Sequence, residues 1–220
     1  MTQTFKMREI GNTTFKAMES AALLYREMTG GDAIRATEYF FTVAVGCAIH
    51  KKLIKKPNFG GFLGFERNTK AVLNEARATT VGKKSKDKRI ENGNCDIVLY
   101  YEKKLPRAVI EVKGNLYKGA QAKADIVRIA EMLILNIAEN SLQTGVFAFV
   151  TTKKEPDAAT TLDNRLKDYE AEIKSLLSKP RYAKYLHFSF RSAKMKPFGK
   201  AQVRVGVVEI WCKAPRFHKS

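Results

Sequence analysis

Two short stretches of sequence decide the fold, Gly93-Asn-Cys-Asp-Ile-Val-Leu-Tyr-Tyr101 and Arg107-Ala-Val-Ile-Glu-Val-Lys-Gly114. Each contains a short apolar run next to a glycine, a pattern that is typical of a buried strand. We therefore predict one strand from Asp96 to Tyr101 and a second from Ala108 to Lys113. The segment between them has the length of a hairpin connection.

Three polar side chains lie at one end of this predicted hairpin. Strand side chains alternate between two faces, so Glu111 and Lys113 are expected to point the same way. Asp96 opens the neighbouring strand, and antiparallel pairing brings it beside the last residues of the second strand. Pro106 is expected to end the pairing at the other end. Asp96, Glu111 and Lys113 are therefore predicted to lie within a few ångströms of one another.

Two carboxylates and one lysine have the composition of a site for metal-assisted phosphodiester hydrolysis. Carboxylate oxygens are ligands that Mg²⁺ prefers, and Mn²⁺ is a possible substitute. Such an ion polarises the phosphoryl oxygen and lowers the pKa of a bound water. A lysine beside that water orients it and offsets the growing negative charge. The backbone carbonyl of Val112 is a further candidate ligand.

The composition favours a polyanionic partner. Lys and Arg number 40 against 22 Asp and Glu, which gives a formal net charge of +18 among 220 residues. Such an excess is typical of proteins that bind nucleic acid, with a membrane surface as the less favoured alternative. The three cysteines have no metal-ligand spacing and are predicted to be reduced thiols. The start of the chain lacks an apolar signal core, so we expect a cytoplasmic protein without membrane contact.

The remaining pattern predicts helices and strands on both sides of the hairpin. Gly30 and Gly31 are expected to end the first helix, and Asp32 to cap the second. The segment Pro57–Gly64 reads as a turn, and Thr69–Thr80 suits a helix in its first part and a strand at Ala78–Val81. The predicted helices are Asn12–Met28, Ala33–Leu53, Ala120–Asn140 and Leu162–Leu177, and the later strands are Gly145–Val150, Tyr185–Phe190 and Gln202–Lys213. This order predicts an α/β fold, a single domain with a mixed sheet flanked by helices.

Asp96, fourteen intervening residues and then Glu111-Val112-Lys113 resemble the motif of the PD-(D/E)xK nuclease superfamily. The resemblance covers about half the chain and implies a restriction-endonuclease-like core of a helix, three strands, a helix and a further strand. It also implies that Asp96 and Glu111 bind Mg²⁺ and that Lys113 acts on the attacking water. One departure is that Cys95 stands before the aspartate, where proline is frequent in the superfamily.

Many members of that superfamily carry a further glutamate on the first core helix, and Glu38 is the candidate here. It shares a helical stripe with Ile34, Phe41 and Val45, where a carboxylate is costly unless it finds a partner. Glu75 is the alternative third carboxylate. A structural alternative for Glu38 is an exposed helix position.

Basic residues near the motif are candidates for binding phosphate groups. They are the loop residues Lys83, Lys84, Lys86, Lys88 and Arg89, and Lys123 on the helix after the motif. On that same helix, Asp125 and Arg128 are spaced to form an intrahelical pair. From Lys179 onward, further basic residues are interleaved with aromatic ones, a pattern that suits a nucleic-acid groove.

These observations together favour a Mg²⁺-dependent endonuclease that acts on DNA more readily than on RNA, with a homodimer as a possible form. Two alternatives stay open at this level. One is a catalytically inactive nucleic-acid-binding module of the same fold. The other is a basic RNA-binding protein in which the motif is accidental.

Overall fold

A six-stranded mixed sheet forms the centre of the protein. The computed structural model describes residues 7–30, 36–55, 60–78, 93–101, 105–116, 119–154, 158–195 and 201–213. The strands are β1 (Phe62–Asn68), β2 (Asn94–Tyr101), β3 (Leu105–Lys113), β4 (Thr144–Lys153), β5 (Leu186–Lys194) and β6 (Gln202–Cys212). Their order across the sheet is β1-β2-β3-β4-β6-β5. β3 and β4 pair in parallel, and the other neighbouring strands pair antiparallel.

Helices cover both faces of this sheet, which confirms the predicted α/β class. The helices are α1 (Met7–Thr29), α2 (Glu38–Ile49), α3 (Thr69–Glu75), α4 (Gly119–Ile134), α5 (Ala158–Leu177) and α6 (Pro180–Ala183). A π-helical turn, His50–Ile54, continues α2. One apolar layer joins α1 and α2 to the sheet, and a second joins α3, α4 and α5 to the opposite face.

The apolar stripes of α2 and α4 explain how the two layers form. On α2, Phe41, Val45 and Ile49 are fully buried and pack on one face of the sheet. On α4, the predicted stripe of Ile126, Ile129 and Leu133 is buried against the other face. The four central strands, β2, β3, β4 and β6, are buried on both faces and consist of nearly continuous apolar runs, as expected for a covered sheet.

Helix α2 starts later than predicted. Its N-cap is Thr37, whose backbone is extended and whose hydroxyl accepts a hydrogen bond from the Phe40 N–H at 3.3 Å. The prediction that Asp32 caps a helix from Ala33 was therefore wrong in its starting point, and Asp32 itself lies outside the described residues. A threonine supplies the same capping oxygen as an aspartate, so the sequence offered two equivalent start signals.

The first strand of the sheet was misplaced by the sequence. β1 occupies Phe62–Asn68, which overlaps the segment Pro57–Gly64 that was predicted to be a turn. Thr69–Glu75 is helical, as its apolar spacing indicated, and Ala78 is outside any strand. Residues 79–81 of the alternative strand lie outside the described part of the chain. Glycine is typical of turns and uncommon inside strands, so the glycines of this segment did not predict β1. Gly64 nevertheless lies within the strand, beside the ring of Tyr100.

Two further boundaries differ for local reasons. α4 ends at Ile134 rather than Asn140, because the Asn140 amide donates to the carbonyls of Met132 and Leu135 and so caps the helix end. Pro106 lies inside β3, paired with Tyr100 at an irregularity of the β2–β3 register, instead of ending the pairing. A bulge accommodates proline because it leaves one ladder position without a hydrogen bond.

The basic C-terminal part is integrated into the sheet. β6 pairs with β4 along its whole length, from Thr144 opposite Trp211 to Lys153 opposite Gln202. All three cysteines are free thiols, as predicted, with Cys95 and Cys212 buried and Cys47 exposed. Within the described ranges, no helix combines the length and the apolar character needed to cross a bilayer.

The close packing of α4 on β4 depends on a glycine. A Cβ atom on Gly145 would lie 2.0 Å from Cγ2 of Ile129, and both residues are buried. We expect Gly145→Ala to destabilise the protein by about 1–3 kcal/mol through overpacking. The measurement is urea unfolding at equilibrium. In an Ile129→Ala background the same glycine substitution should cost much less, because the cavity accepts the new methyl group; additive losses would contradict this packing.

Candidate active site

The hairpin of β2 and β3 brings the first two candidate residues together. The register pairs Ile97 with Ile110 and Val98 with Val109, so that Asp96 comes opposite Glu111 in the next position. The Val112 N–H donates a hydrogen bond of 2.7 Å to Oδ2 of Asp96. The predicted antiparallel pairing is therefore confirmed, and one carboxylate oxygen of Asp96 is held against the edge of β3.

Glu111 and Lys113 share a face of β3, as strand alternation predicted. Both point toward α4, where Nη2 of Arg128 lies 2.7 Å from Oε2 of Glu111 and Oδ2 of Asp125 lies 3.8 Å from Nζ of Lys113. Val112, between them, is buried in the layer under α1 and α2. The last residues of β3 are thus contacted by helices from both sides of the sheet.

Glu38 reaches the same place from the start of α2. Its Oε1 lies 3.0 Å from Nζ of Lys113. Gly114 makes this approach possible, since a Cβ at that position would lie 3.0 Å from the backbone nitrogen of Glu38. The neighbours predicted to share its stripe, Phe41 and Val45, are buried, whereas Ile34 lies outside the described residues.

The alternative third carboxylate, Glu75, belongs to a different cluster. Its Oε2 accepts a hydrogen bond of 2.6 Å from the Tyr100 hydroxyl, and its Oε1 pairs with Arg67 at 2.5 Å. These contacts tie α3 to β1 and β2. Of the two glutamates that the sequence left open, Glu38 is the one that contacts Lys113.

Burial dominates the proton affinities of the two central carboxyls. It raises the pKa of Asp96 from 3.8 to about 6, with Glu38 and Glu66 adding to the increase and the Val112 N–H and Lys113 opposing it. Burial also raises the pKa of Glu111 well above its ordinary value, against the charge of Arg128 and with that of Asp96. Each ionised carboxylate therefore costs free energy in this environment unless a cation compensates it.

The two basic groups stay cationic. Burial by itself lowers the pKa of Lys113, but its hydrogen bond to Glu38 and the charge of Asp125 outweigh that effect, so the pKa is raised. The pKa of Arg128 is likewise raised, because Glu111 and Asp125 outweigh its burial. Lys113 and Arg128 therefore carry full positive charges.

The site has an uneven charge balance. Five carboxylates (Glu38, Glu66, Asp96, Glu111, Asp125) lie around two cationic side chains (Lys113, Arg128). Full ionisation leaves an excess of three negative charges, in a chain whose net charge is +18. None of the residues that the structure describes forms a hydrogen bond with the buried Oε1 of Glu111. Such an oxygen needs a cation, a proton or a water to offset its desolvation.

No group of three or more His, Cys, Asp and Glu side chains, among those that the structure describes, stands in a ready-made metal-binding arrangement. The central pair consists of Asp96 and Glu111, with Glu38 directed at Lys113 instead. In the structure Glu111 pairs with Arg128, and Asp96 accepts a hydrogen bond from the Val112 N–H.

Two residues of the site escaped the sequence analysis. Arg128 was expected to pair with Asp125, which it does at 3.1 Å, but its bond from α4 to Glu111 on β3 had no sequence signal. Glu66 lies in β1 between the pairs Phe65–Ile97 and Arg67–Cys95, hence opposite Asp96, and its backbone is left-handed with φ of 50°. The predicted turn ends at Gly64 and residues 65–68 were predicted to form no strand, so no strand alternation pointed to Glu66.

The basic residues predicted to contact phosphate are distributed differently. Lys83, Lys84, Lys86, Lys88 and Arg89 all lie outside the described residues. Lys123 is exposed and lines a shallow cleft between α4 and α5 with Tyr169 and Glu172. It stands two residues from Asp125, on another side of the helix, and its contact with nucleic acid stays a prediction.

Comparisons with protein families, with curated proteins and with solved structures find no match for this chain.

The raised pKa of Asp96 makes stability depend on pH in a defined direction. Between pH 3.8 and about 6 the folded protein keeps a proton that the unfolded chain has released, so this group lowers stability as pH rises. We expect Asp96→Asn to be more stable than wild type at pH 7.5, by at most about 3 kcal/mol, and the difference to shrink toward pH 4. Urea unfolding in EDTA at several pH values measures it.

A control of opposite sign is available on α5. The pKa of Asp163 is lowered by hydrogen bonds from Lys194 and Arg204. Its ionised form therefore stabilises the fold, and Asp163→Asn should lose stability at neutral pH, with the loss fading as pH falls. A pH-independent difference between Asp96→Asn and wild type would contradict the burial of the Asp96 charge.

Arg128 is expected to hold Glu111 in place. Removal of one partner from a buried pair costs about 3–5 kcal/mol, so Arg128→Ala should be strongly destabilising, and the double variant Arg128→Ala/Glu111→Gln should recover part of the loss. The control is Arg181→Ala, because Arg181 also pairs with a buried glutamate, Glu131, but is mostly exposed. Thermal and urea unfolding measure the stability of all three variants. Equal losses of stability for Arg128→Ala and Arg181→Ala would contradict this role.

Proposed function

We propose that this protein is a Mg²⁺-dependent nuclease that hydrolyses phosphodiester bonds in DNA. The observation that carries the proposal is the juxtaposition of two buried carboxylates, Asp96 and Glu111, with the cationic Lys113 at the ends of two paired strands. Burying two negative charges side by side costs free energy of folding. Such pairs are frequent at functional sites, so this pair supports a functional role.

The order of elements supports the resemblance to the PD-(D/E)xK superfamily. That resemblance implies a helix, three strands, a helix and a further strand. Helix α2, strands β1 to β3, helix α4 and strand β4 follow this order along the chain, apart from the short helix α3. Asp96 stands near the start of the second strand, and Glu111 and Lys113 at the end of the third, where the motif requires them.

The residues fit a hard divalent cation. The carboxylates of the site outnumber its cationic side chains, and carboxylate oxygens are the usual protein ligands of Mg²⁺. Oε1 of Glu111 is buried and accepts no hydrogen bond from the described part of the chain, which suits it to bind a cation. In this proposal Asp96 and Glu111 hold the ion, with the Val112 carbonyl as a further ligand, while Glu38 is bonded to Lys113 beside them.

Each side chain then has a separate task. A bound Mg²⁺ polarises the phosphoryl oxygen and makes water a better nucleophile. The Val112 N–H fixes Asp96, and Arg128 fixes Glu111, so both carboxylates are oriented before the substrate arrives. Lys113 orients the attacking water and offsets the negative charge of the transition state, while Glu38 and Asp125 keep its ammonium in position.

The charge of the chain favours a nucleic acid as the partner. A net charge of +18 attracts a polyanion from a distance, whereas the site by itself is acidic. In the proposal the loop residues Lys83, Lys84, Lys86, Lys88 and Arg89 contact the phosphate backbone, together with Lys123.

The test is a cleavage assay on labelled DNA and RNA of several forms with Mg²⁺, Mn²⁺ or EDTA. We expect Lys113→Ala and Asp96→Asn to lower Mg²⁺-dependent cleavage by at least about 100-fold, since they remove transition-state stabilisation and a metal ligand. Binding to DNA in EDTA should change by less than about threefold, because the basic surface is intact. Lys174→Ala and Asp168→Asn make the same charge changes on the exposed face of α5 and should leave cleavage unaltered.

Two outcomes would overturn the proposal. Undiminished cleavage by both site variants would place the chemistry elsewhere. Calorimetric Mn²⁺ binding that Asp96→Asn abolishes, without cleavage of any substrate, would favour a nucleic-acid-binding module that retains the metal site.

A further inference from the structure

An apolar surface begins directly beside the site and runs along the solvent side of α2. Tyr39 and Val43 project from this helix at helical spacing with Gly46, and they are 65% and 37% exposed. Phe65 of the edge strand β1 joins them and is 43% exposed. Large side chains of this kind are normally buried, and a contiguous exposed group of them indicates a binding surface.

Gly46 seats the ring of Phe65 on this surface. A Cβ at position 46 would lie 2.4 Å from Cζ of Phe65, so the ring lies directly on the helix backbone. Gly46 itself is buried beneath the ring. The ring is thereby held in one place while part of it stays open to solvent. A fixed, half-exposed aromatic ring is suited to stack on a flat partner with little loss of side-chain entropy.

The surface is continuous with the candidate active site. Tyr39 follows Glu38, the residue bonded to Lys113. Phe65 precedes Glu66, which lies opposite Asp96 in the sheet register. A chain lying on Tyr39 and Phe65 is therefore led toward the carboxylates. At the rise of an α-helix, Tyr39 and Gly46 are about 10 Å apart along α2, which accommodates two neighbouring nucleotides.

The far end of the surface is basic. Lys51 and Lys52 are exposed on the π-helical extension of α2, against which β1 packs, and Lys55 is exposed directly after it. Aromatic rings followed by lysines along one path are the combination that binds unpaired nucleic acid, with bases on the rings and phosphates on the lysines. A duplex offers no exposed base faces to such rings.

We propose that Tyr39, Val43 and Phe65 form a stacking surface for single-stranded nucleic acid, which delivers an unpaired strand to the site. This inference rests on the proposed function and adds the form of its substrate: a single strand, or a duplex with an unpaired end or flap.

The experiment measures fluorescence anisotropy of the full-length protein with a labelled oligo-dT of about 12 nucleotides and with a duplex hairpin of equal length, in EDTA. We expect Tyr39→Ala and Phe65→Leu each to weaken binding of the single strand by about tenfold, the size of a lost base–aromatic stack. Duplex affinity should change by less than about twofold. Leucine at position 65 keeps the apolar cover on Gly46, so the fold is retained, and unfolding curves verify this.

The chain supplies a matched control in Phe62. This residue is also 43% exposed on β1, but its ring stacks on Tyr100 with centroids 4.5 Å apart, on the other face of the sheet. Phe62→Leu should leave single-strand affinity unchanged. Equal losses of single-strand affinity for Phe62→Leu and Phe65→Leu would overturn the proposed surface. Equal losses of duplex and single-strand affinity in the Tyr39 and Phe65 variants would also overturn it. A dimer in size-exclusion chromatography that Tyr39→Ala dissociates would assign the surface to a second copy of the chain.

Binding in EDTA separates this inference from the proposed nuclease activity. A selective loss of single-strand binding without any cleavage upholds the surface and overturns the nuclease. If cleavage depends on metal but Tyr39→Ala and Phe65→Leu leave single-strand binding unchanged, the nuclease proposal is upheld and the stacking surface is overturned.

Discussion

The burial of two neighbouring carboxylates is the constraint on which the rest of this structure depends. Asp96 and Glu111 stand opposite each other at the ends of β2 and β3, and both are largely removed from water. Such groups require donors or cations on every side that solvent does not reach. The backbone of β3 supplies one donor to Asp96, and α4 supplies Arg128 to Glu111. The position of α4 on the sheet therefore serves both packing and charge compensation.

Small residues let the two helix layers converge on this point. Gly145 allows α4 to pack tightly on β4, and Gly114 allows the start of α2 to come within contact of the end of β3. Lys113 is consequently reached by Glu38 from one helix and by Asp125 from the other. The lysine bridges the two layers, and its ammonium is fixed by acidic partners on both sides.

The net charge of the whole chain and the charge around the site are opposite in sign. The chain as a whole is strongly positive, while the site has more carboxylates than cations. A polyanion is drawn to the protein at long range, but a phosphate is repelled by the site until a cation neutralises it. In the proposed function this arrangement ties cleavage to metal binding. The aromatic surface along α2 and β1 would then select the strand that enters.

The sequence by itself determined the α/β class, the β2–β3 hairpin and the shared face of Glu111 and Lys113, because apolar runs and strand alternation are local properties. It also favoured Glu38 over Glu75. It missed β1, whose glycines resemble a turn, and it placed the start of α2 too early, because two residues offered the same capping chemistry. The bonds of Arg128 to Glu111 and of Lys113 to Glu38 and Asp125 were decided by the tertiary structure alone. They join residues from different elements, and their existence depends on how closely α2 and α4 approach the end of β3, a distance that no local pattern encodes.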